Sequence, residues 1–353
     1  MVSGCFEACS DCCRSAIRAL PRLLLTGCIC LVLSACTVPS ALPDYKILDI
    51  YAFRPGASLV GRVGLPPAPL LDALQLSDGR PDYRAYRPTS ADMVQIGAAL
   101  NELPDRQRRA MLARLAGIYF VSNLSSGGYS DYVYGHDGTL HTVLVLNPAI
   151  LRVSMSQWIR DKELSAFRDD GSGVTIDVDC GDDDRSALLY ILLHESGHLL
   201  DYVAGCTPYV EKPLAASGKP LKLVPFVAAA WRNYDRPLPV FDFSGRNRYR
   251  FYGAAPDAQR PLGELPQAYR HLALTPFQLL YASQNWAEDF AETVAFSEFK
   301  RITGRECRIR ISQPGKPDFE FSLLDRPAVQ ARLPLLYSSC NSMQSGGDPA
   351  ALR

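Results

Sequence analysis

The stretch that decides the fold runs Ala187-Leu188-Leu189-Tyr190-Ile191-Leu192-Leu193-His194-Glu195-Ser196-Gly197-His198-Leu199-Leu200-Asp201-Tyr202. It reads as an apolar helix, from about Asp184 to Tyr202, carrying His-Glu-x-x-His. Residues four apart share a helical face, so His194 and His198 can bind one zinc ion while Glu195 points to the metal's open side instead of ligating it. Zinc lowers the pKa of water toward ~7, and a carboxylate placed there can take the proton as water attacks a carbonyl, then pass it to the leaving amine. These residue types at this spacing predict peptide hydrolysis with Glu195 as general base. With 5 His in 353 residues, a chance match is expected on the order of a few times per thousand such chains. An ionisable trio in a helix of Leu, Ile and Ala would also be buried charge without a partner unless something such as a metal held it. Asp182, Asp183 and Asp184, just before the helix, read as caps that complement its dipole and not as a calcium site.

Two histidines do not complete a zinc site, which needs at least three protein donors. The candidate lies in Tyr281-Ala282-Ser283-Gln284-Asn285-Trp286-Ala287-Glu288-Asp289-Phe290-Ala291-Glu292. Asn285 can cap a helix on which Glu288 and Glu292 share one face, with Trp286, Phe290 and Val294 packed inward. Glu288, in the first turn, is the leading third ligand; Glu292 and His271 are the alternatives. His136 and His141 fall on a hairpin that explains them without metal.

Working outward, the composition is that of a globular chain, with 47% hydrophobic residues and 21% charged. Lys plus Arg equals Asp plus Glu at 37 each, so no basic excess points to nucleic acid. Arg14, Arg18 and Arg22 precede the apolar run Leu23 to Leu33, too short to span a bilayer and right for a signal-peptide core. Leu33-Ser34-Ala35-Cys36 resembles a bacterial lipobox, which makes residues 1–35 a signal peptide and Cys36 the lipidated first residue of the mature chain. Thr37 stands where a retention signal would usually carry Asp, so the expected location is the outer membrane of the cell envelope. Beyond Cys36 remain Cys180, Cys206, Cys307 and Cys340, expected as two disulfides in an oxidising compartment. Three pairings are open; Cys307 with Cys340 would be a C-terminal staple, but it forces Cys180 onto Cys206 across the whole zinc helix.

Residues 36–90, with a strand-like run Tyr45 to Phe53 followed by many prolines, read as an extended tether. Thr89 or Ser90 caps a helix through Leu100, and Pro104 opens a second. Strands are expected at Ile118 to Val121, Tyr129 to Tyr134, Leu140 to Leu146 and Val174 to Val178, with a turn at His136-Asp137-Gly138. The expected fold is α+β with a mixed sheet, a catalytic domain over 91–306 with a mainly helical lower half, and an extension over 307–353. A strand near the metal would bind substrate backbone by β-addition, Val174 to Val178 first and Leu140 to Leu146 second.

The paired motifs His-Glu-x-Gly-His-x-x-Asp and Tyr-x6-Glu-x3-Glu resemble those of gluzincin metallopeptidases of the anthrax lethal factor type, over about 16 residues around each motif. The resemblance implies a zincin-like fold and a zinc site of His194, His198 and Glu288. It makes Glu195 the base, Glu292 a residue supporting the ligands, and Tyr281 a hydroxyl that stabilises the oxyanion. Asp201 belongs to the same motif and is expected near the ligands. Asp201 and Ala204 stand where a metzincin would have Gly and a third ligand, which excludes that family. The function expected is an envelope-anchored zinc metallopeptidase acting on a peptide or protein. The alternatives are a surface lipoprotein that keeps the fold only to bind a protein or cell-wall partner, and a zinc amidase acting on peptidoglycan.

Overall fold

Leu115-Ala116-Gly117-Ile118-Tyr119-Phe120-Val121 is buried at every position, as a strand must be when helices or chain cover both its faces. In the computed structural model, which describes residues 42–181, 187–208, 222–252 and 257–340, this run is the centre of a five-stranded mixed sheet. The strands are β1 (Val63–Gly64), β2 (Arg84–Tyr86), β3 (Leu115–Ser122), β4 (Gly128–Tyr134) and β5 (Leu140–Leu146). β3 pairs parallel with β1 and β5 and antiparallel with β2, and β4 closes one side antiparallel to β5. Among the described residues its outer edge has no strand partner apart from a single bridge, Ile47 to Tyr134.

The helices are α1 (Ala68–Asp78), α2 (Ser90–Glu102), α3 (Asp105–Arg114), α4 (Met155–Leu164), α5 (Leu188–Ala204), α6 (Leu265–Leu272) and α7 (Trp286–Thr303). Side chains of β3 and β5 alternate between two cores. Ile118, Phe120, Leu144 and Leu146 face the larger core, with α2, α3, α5 and α7, while Tyr119, Val121, Val143 and Val145 face the smaller. Thr89 caps α2 as expected, its side chain accepting from Asp92 N while Asp92 accepts from Thr89 N. α5 fills the middle of the larger core with Leu188, Leu192, Leu193, Leu199 and Leu200, each such burial stabilising by roughly 1.5–3 kcal/mol.

Two expectations are corrected, and the open disulfide pairing is resolved. The described part of 36–90 is no tether: Tyr45 to Phe53 forms two 3-10 turns instead of a strand, and α1 plugs Leu70 and Leu74 into the smaller core. Pro69 begins that helix, where a missing N–H costs nothing. The lower half is less helical than expected, because β7 (Arg308–Gln313) and β8 (Lys316–Ser322) form a hairpin that adds to β6 (Thr175–Asp179). The disulfides are Cys180–Cys307 and Cys206–Cys340. The first follows from the ladder: Asp179 lies opposite Arg308, which sets the flanking cysteines side by side. The second ties the end of α5 to the C-terminal turns. Asp182 to Asp184 and Cys36 lie outside the described residues.

Candidate metal centre

α5 and α7 form the most extensive helix pair of the described chain. They meet at Gly197, where a Cβ would stand 3.1 Å from Ala291 Cα, tighter than ordinary contact, so a larger residue would push the helices apart by a few tenths of an ångström. Asn285 starts α7 by accepting from the main-chain N–H groups of Ala287 and Glu288, both at 3.0 Å. Its first turn therefore carries Glu288 to the two histidines on α5. His194 Nε2 and His198 Nε2 are 3.2 Å apart, and Glu288 Oε2 lies 3.4 Å from the first and 3.5 Å from the second. Among the described residues this is the one grouping of three such ligands. Glu288 Oε2 is buried without a hydrogen-bond partner. Burial pushes the Glu288 carboxyl up, but His198 and His194 more than offset this and hold it well below the usual carboxylate range. Burial pushes His198 down, and Glu288 more than offsets that, bringing it to about 9.

Behind His194 lies a charged group that sequence reasoning half found. Glu292 is fully buried, with Oε1 3.6 Å from His194 Nδ1. Its carboxylate accepts from Tyr190 Oη at 2.9 Å and from Lys162 Nζ, which also donates to Tyr190 Oη at 2.6 Å. Lys162 is 3% exposed. Lys162 and Tyr190 escaped notice because a lysine in a short polar helix reads as solvated, and a tyrosine in an apolar helix reads as core. Asp201 accepts from Thr207 Oγ1 at 2.6 Å and secures the turn after α5, and its carboxylate is close enough to His198 to help push that imidazole's pKa up. His271 bonds Gln267 at 2.7 Å on α6 and takes no part in the triad.

Glu195 stands beside β4. A Cβ on Gly128 would come within 2.8 Å of Glu195 Oε1, so the bare backbone of this strand runs directly past the carboxylate. Of the two strands expected to take substrate, Leu140–Leu146 (β5) lies between β3 and β4 with no free edge, and Thr175–Asp179 is an edge of the separate three-stranded sheet; the edge strand beside Glu195 is β4. Tyr132 O accepts from Lys46 Nζ at 3.3 Å on the outer side, so by strand alternation the main-chain groups of Ser130 and Gly128 also point outward. A cavity of about 20 Å³ is lined by His194, Glu195, Gly127, Gly128, Lys162, Tyr190, Tyr252 and Tyr281. Tyr281 is where the motif predicted a phenol, its ring centroid 6.3 Å from that of His194. Burial, with Glu288 next, pushes its hydroxyl well above 10, so it stays protonated. Tyr252 was missed; it lies in a loop with no periodicity to mark it.

Compared with known protein families, characterised proteins and solved structures, the chain matches none.

Proposed function

We propose that this chain is a zinc-dependent peptide hydrolase of gluzincin type, with His194, His198 and Glu288 as metal ligands and Glu195 as general base. The observation that carries the proposal is the donor triangle. A four-coordinate zinc at 2.0–2.1 Å from its ligands needs donors about 3.3 Å apart, and these three stand 3.2, 3.4 and 3.5 Å apart. The Glu288 carboxyl, held well below the usual carboxylate range beside the two imidazoles, is an anionic donor suited to a cation placed among the three. Bound there, zinc would polarise a carbonyl and lower the pKa of water.

The chain's own residues supply the rest. Glu195 takes a proton from the attacking water and returns it to the leaving nitrogen. The outward edge of β4 at Gly128 and Ser130 pairs with the substrate backbone and leads it past Glu195. Tyr281 donates to the developing oxyanion. Glu292 orients His194 through Nδ1, and Lys162 keeps that carboxylate paired. The same proposal anchors the protein to the bacterial envelope by lipid on Cys36. The lipobox-like Leu33-Ser34-Ala35-Cys36 supports this, as do two disulfides of the kind that persist in oxidising compartments.

The purified protein is expected to hold about one zinc per chain. Glu195→Gln should keep the metal and lose hydrolysis by at least about a hundredfold, because the amide has the carboxylate's shape and cannot accept a proton. Zinc-loaded wild-type protein that cleaves no member of a diverse peptide and muropeptide panel would return the chain to the binding-lipoprotein alternative.

A further inference from the structure

Several buried tyrosines in this molecule commit their hydroxyls to a carboxylate: Tyr190 to Glu292, Tyr269 to Glu163 and Tyr337 to Glu298. Tyr252 and Tyr281 differ. Both line the small cavity beside His194 and Glu195, and among the described residues neither phenol has a hydrogen-bond partner. Room of about 20 Å³ suits one water-sized group, such as the oxygen of an attacked carbonyl.

The backbone at Tyr252 reinforces the point. Its φ is 56°, a left-handed conformation that a bulky residue adopts only when its surroundings enforce it, and such outliers gather at functional sites. What enforces it is the end of α4: Ser165 Oγ accepts from Tyr252 N at 3.1 Å and itself donates to Lys162 O at 2.6 Å. Gln259 Nε2 donates to Ser165 O at 3.0 Å, a second contact at the same helix end. The Tyr252 ring stands edge-on to Tyr281, centroids 5.7 Å apart, and Phe251 meets Tyr281 in the same way at 5.1 Å. The two phenols therefore hold each other's rings in place.

Resting on the hydrolase reading above, we propose that Tyr252 is a second hydroxyl donor to the oxyanion, acting beside Tyr281 from a loop clamped to the end of α4. Catalysis by donors aimed at developing charge works best when they are fixed before reaction, and the clamp provides that. Burial first, then Glu292, Glu288, Glu163 and Glu195, push the Tyr252 phenol well above 10, so it remains a donor across the working pH range.

The test uses the zinc-loaded protein, a peptide substrate, and a phosphinic peptide as the tetrahedral probe. Tyr252→Phe should lower kcat by about 10²-fold with little change in KM. By calorimetry it should weaken the phosphinic peptide by a similar factor while leaving binding of the product peptide, zinc content and melting temperature as in wild type. Tyr252→Asn, which is at ease in the left-handed region, should lose as much, showing that the effect follows the phenol and not the turn. If the wild-type protein hydrolyses peptides and Tyr252→Phe matches it in kcat and phosphinic-peptide affinity, the second donor is overturned and the hydrolase reading stands. If the wild-type protein neither hydrolyses peptides nor binds the phosphinic peptide, the hydrolase reading falls and takes this proposal with it.

Discussion

Replacing Lys162 by Met removes one charge from a pair that water does not reach. Lys162 is 3% exposed and Glu292 is 0% exposed, and the ammonium gives the Glu292 carboxylate its one cationic hydrogen-bond donor. After the change, Glu292 keeps Tyr190 Oη at 2.9 Å and the longer contact to His194 Nδ1 at 3.6 Å. Breaking a buried pair from one side costs about 3–5 kcal/mol, and the surviving tyrosine bond puts this case at the low end, about 3 kcal/mol. At roughly 2 °C per kcal/mol for a chain of this size, the melting temperature should fall by about 6 °C. Met matches the length of Lys, so lost packing adds little. The double variant Lys162→Met, Glu292→Gln removes both charges and should recover most of the loss, leaving about 1 kcal/mol. The assay is urea denaturation of the two single variants, the double variant and the wild type, all with metal chelated so that metal affinity does not enter the measurement. A coupling energy of at least about 2 kcal/mol is expected. Additive single effects would refute the reasoning, since they would mean that the buried ammonium and carboxylate do not depend on each other.

Metal content should separate the two glutamates of α7: Glu288→Ala loses most of the zinc, Glu292→Ala loses less, and the reverse order measured by atomic absorption would overturn the ligand assignment. Gly128→Ala should leave zinc in place but cut hydrolysis by about 10²-fold, a loss typical of a catalytic group displaced by an ångström, because the new Cβ stands 2.8 Å from Glu195 Oε1; a wild-type rate would show that the carboxylate tolerates the intrusion. Acid should loosen the C-terminal hairpin. Burial pushes the Glu306 carboxyl up, but Lys300, Ser322 and the main-chain N–H groups of Asp325 and Leu324 more than offset this and bring it to about 2. The folded pKa is thus depressed, so the stabilisation is complete above the unfolded value of about 4.3 and fades as pH falls from there toward 2. Glu306→Gln should flatten that part of the stability profile, and an unchanged profile would count against the assignment.

What the sequence disclosed and what it withheld divide along the range of the interactions. The His-Glu-x-x-His helix, the Asn285 cap and the Glu288–Glu292 face depend on spacings of three or four residues, and each was readable. Lys162 was not, because its meaning comes from Glu292, 130 positions away; taken locally, it is an ordinary charge in a polar helix. The Cys180–Cys307 disulfide was likewise set by the pairing of Asp179 with Arg308, a register no local pattern reveals. The edge strand beside Glu195 was passed over for a different reason. Leu140 to Leu146 is the more apolar run, and that marks a strand covered on both sides and therefore interior. Tyr129-Ser130-Asp131-Tyr132 mixes polar and aromatic residues, as a strand does when one edge stays open to solvent. The signal was present and favoured β4.

The segment read as a tether has its own part in shaping the site. Lys46 reaches Asp131 and Tyr132 O, and Ile47 bridges to Tyr134, so residues 45–47 close the far half of the β4 edge. The near half, at Gly128 and Ser130, has no strand partner among the described residues, though Gly128 O accepts from Ser126 Oγ at 2.7 Å. An edge strand left bare along its whole length would recruit other chains indiscriminately; one bare for two or three residues admits only a short extended segment. Lys46 also lies 3.8 Å over the Tyr132 ring, which holds the closure against an aromatic side chain on the same face of β4 as Gly128. In the hydrolase reading, substrate can therefore pair with β4 beside the catalytic carboxylate and runs into folded chain a few residues further on. In that reading residues 45–47 bound the substrate's path, and Leu70 and Leu74 of the same segment help build the smaller core.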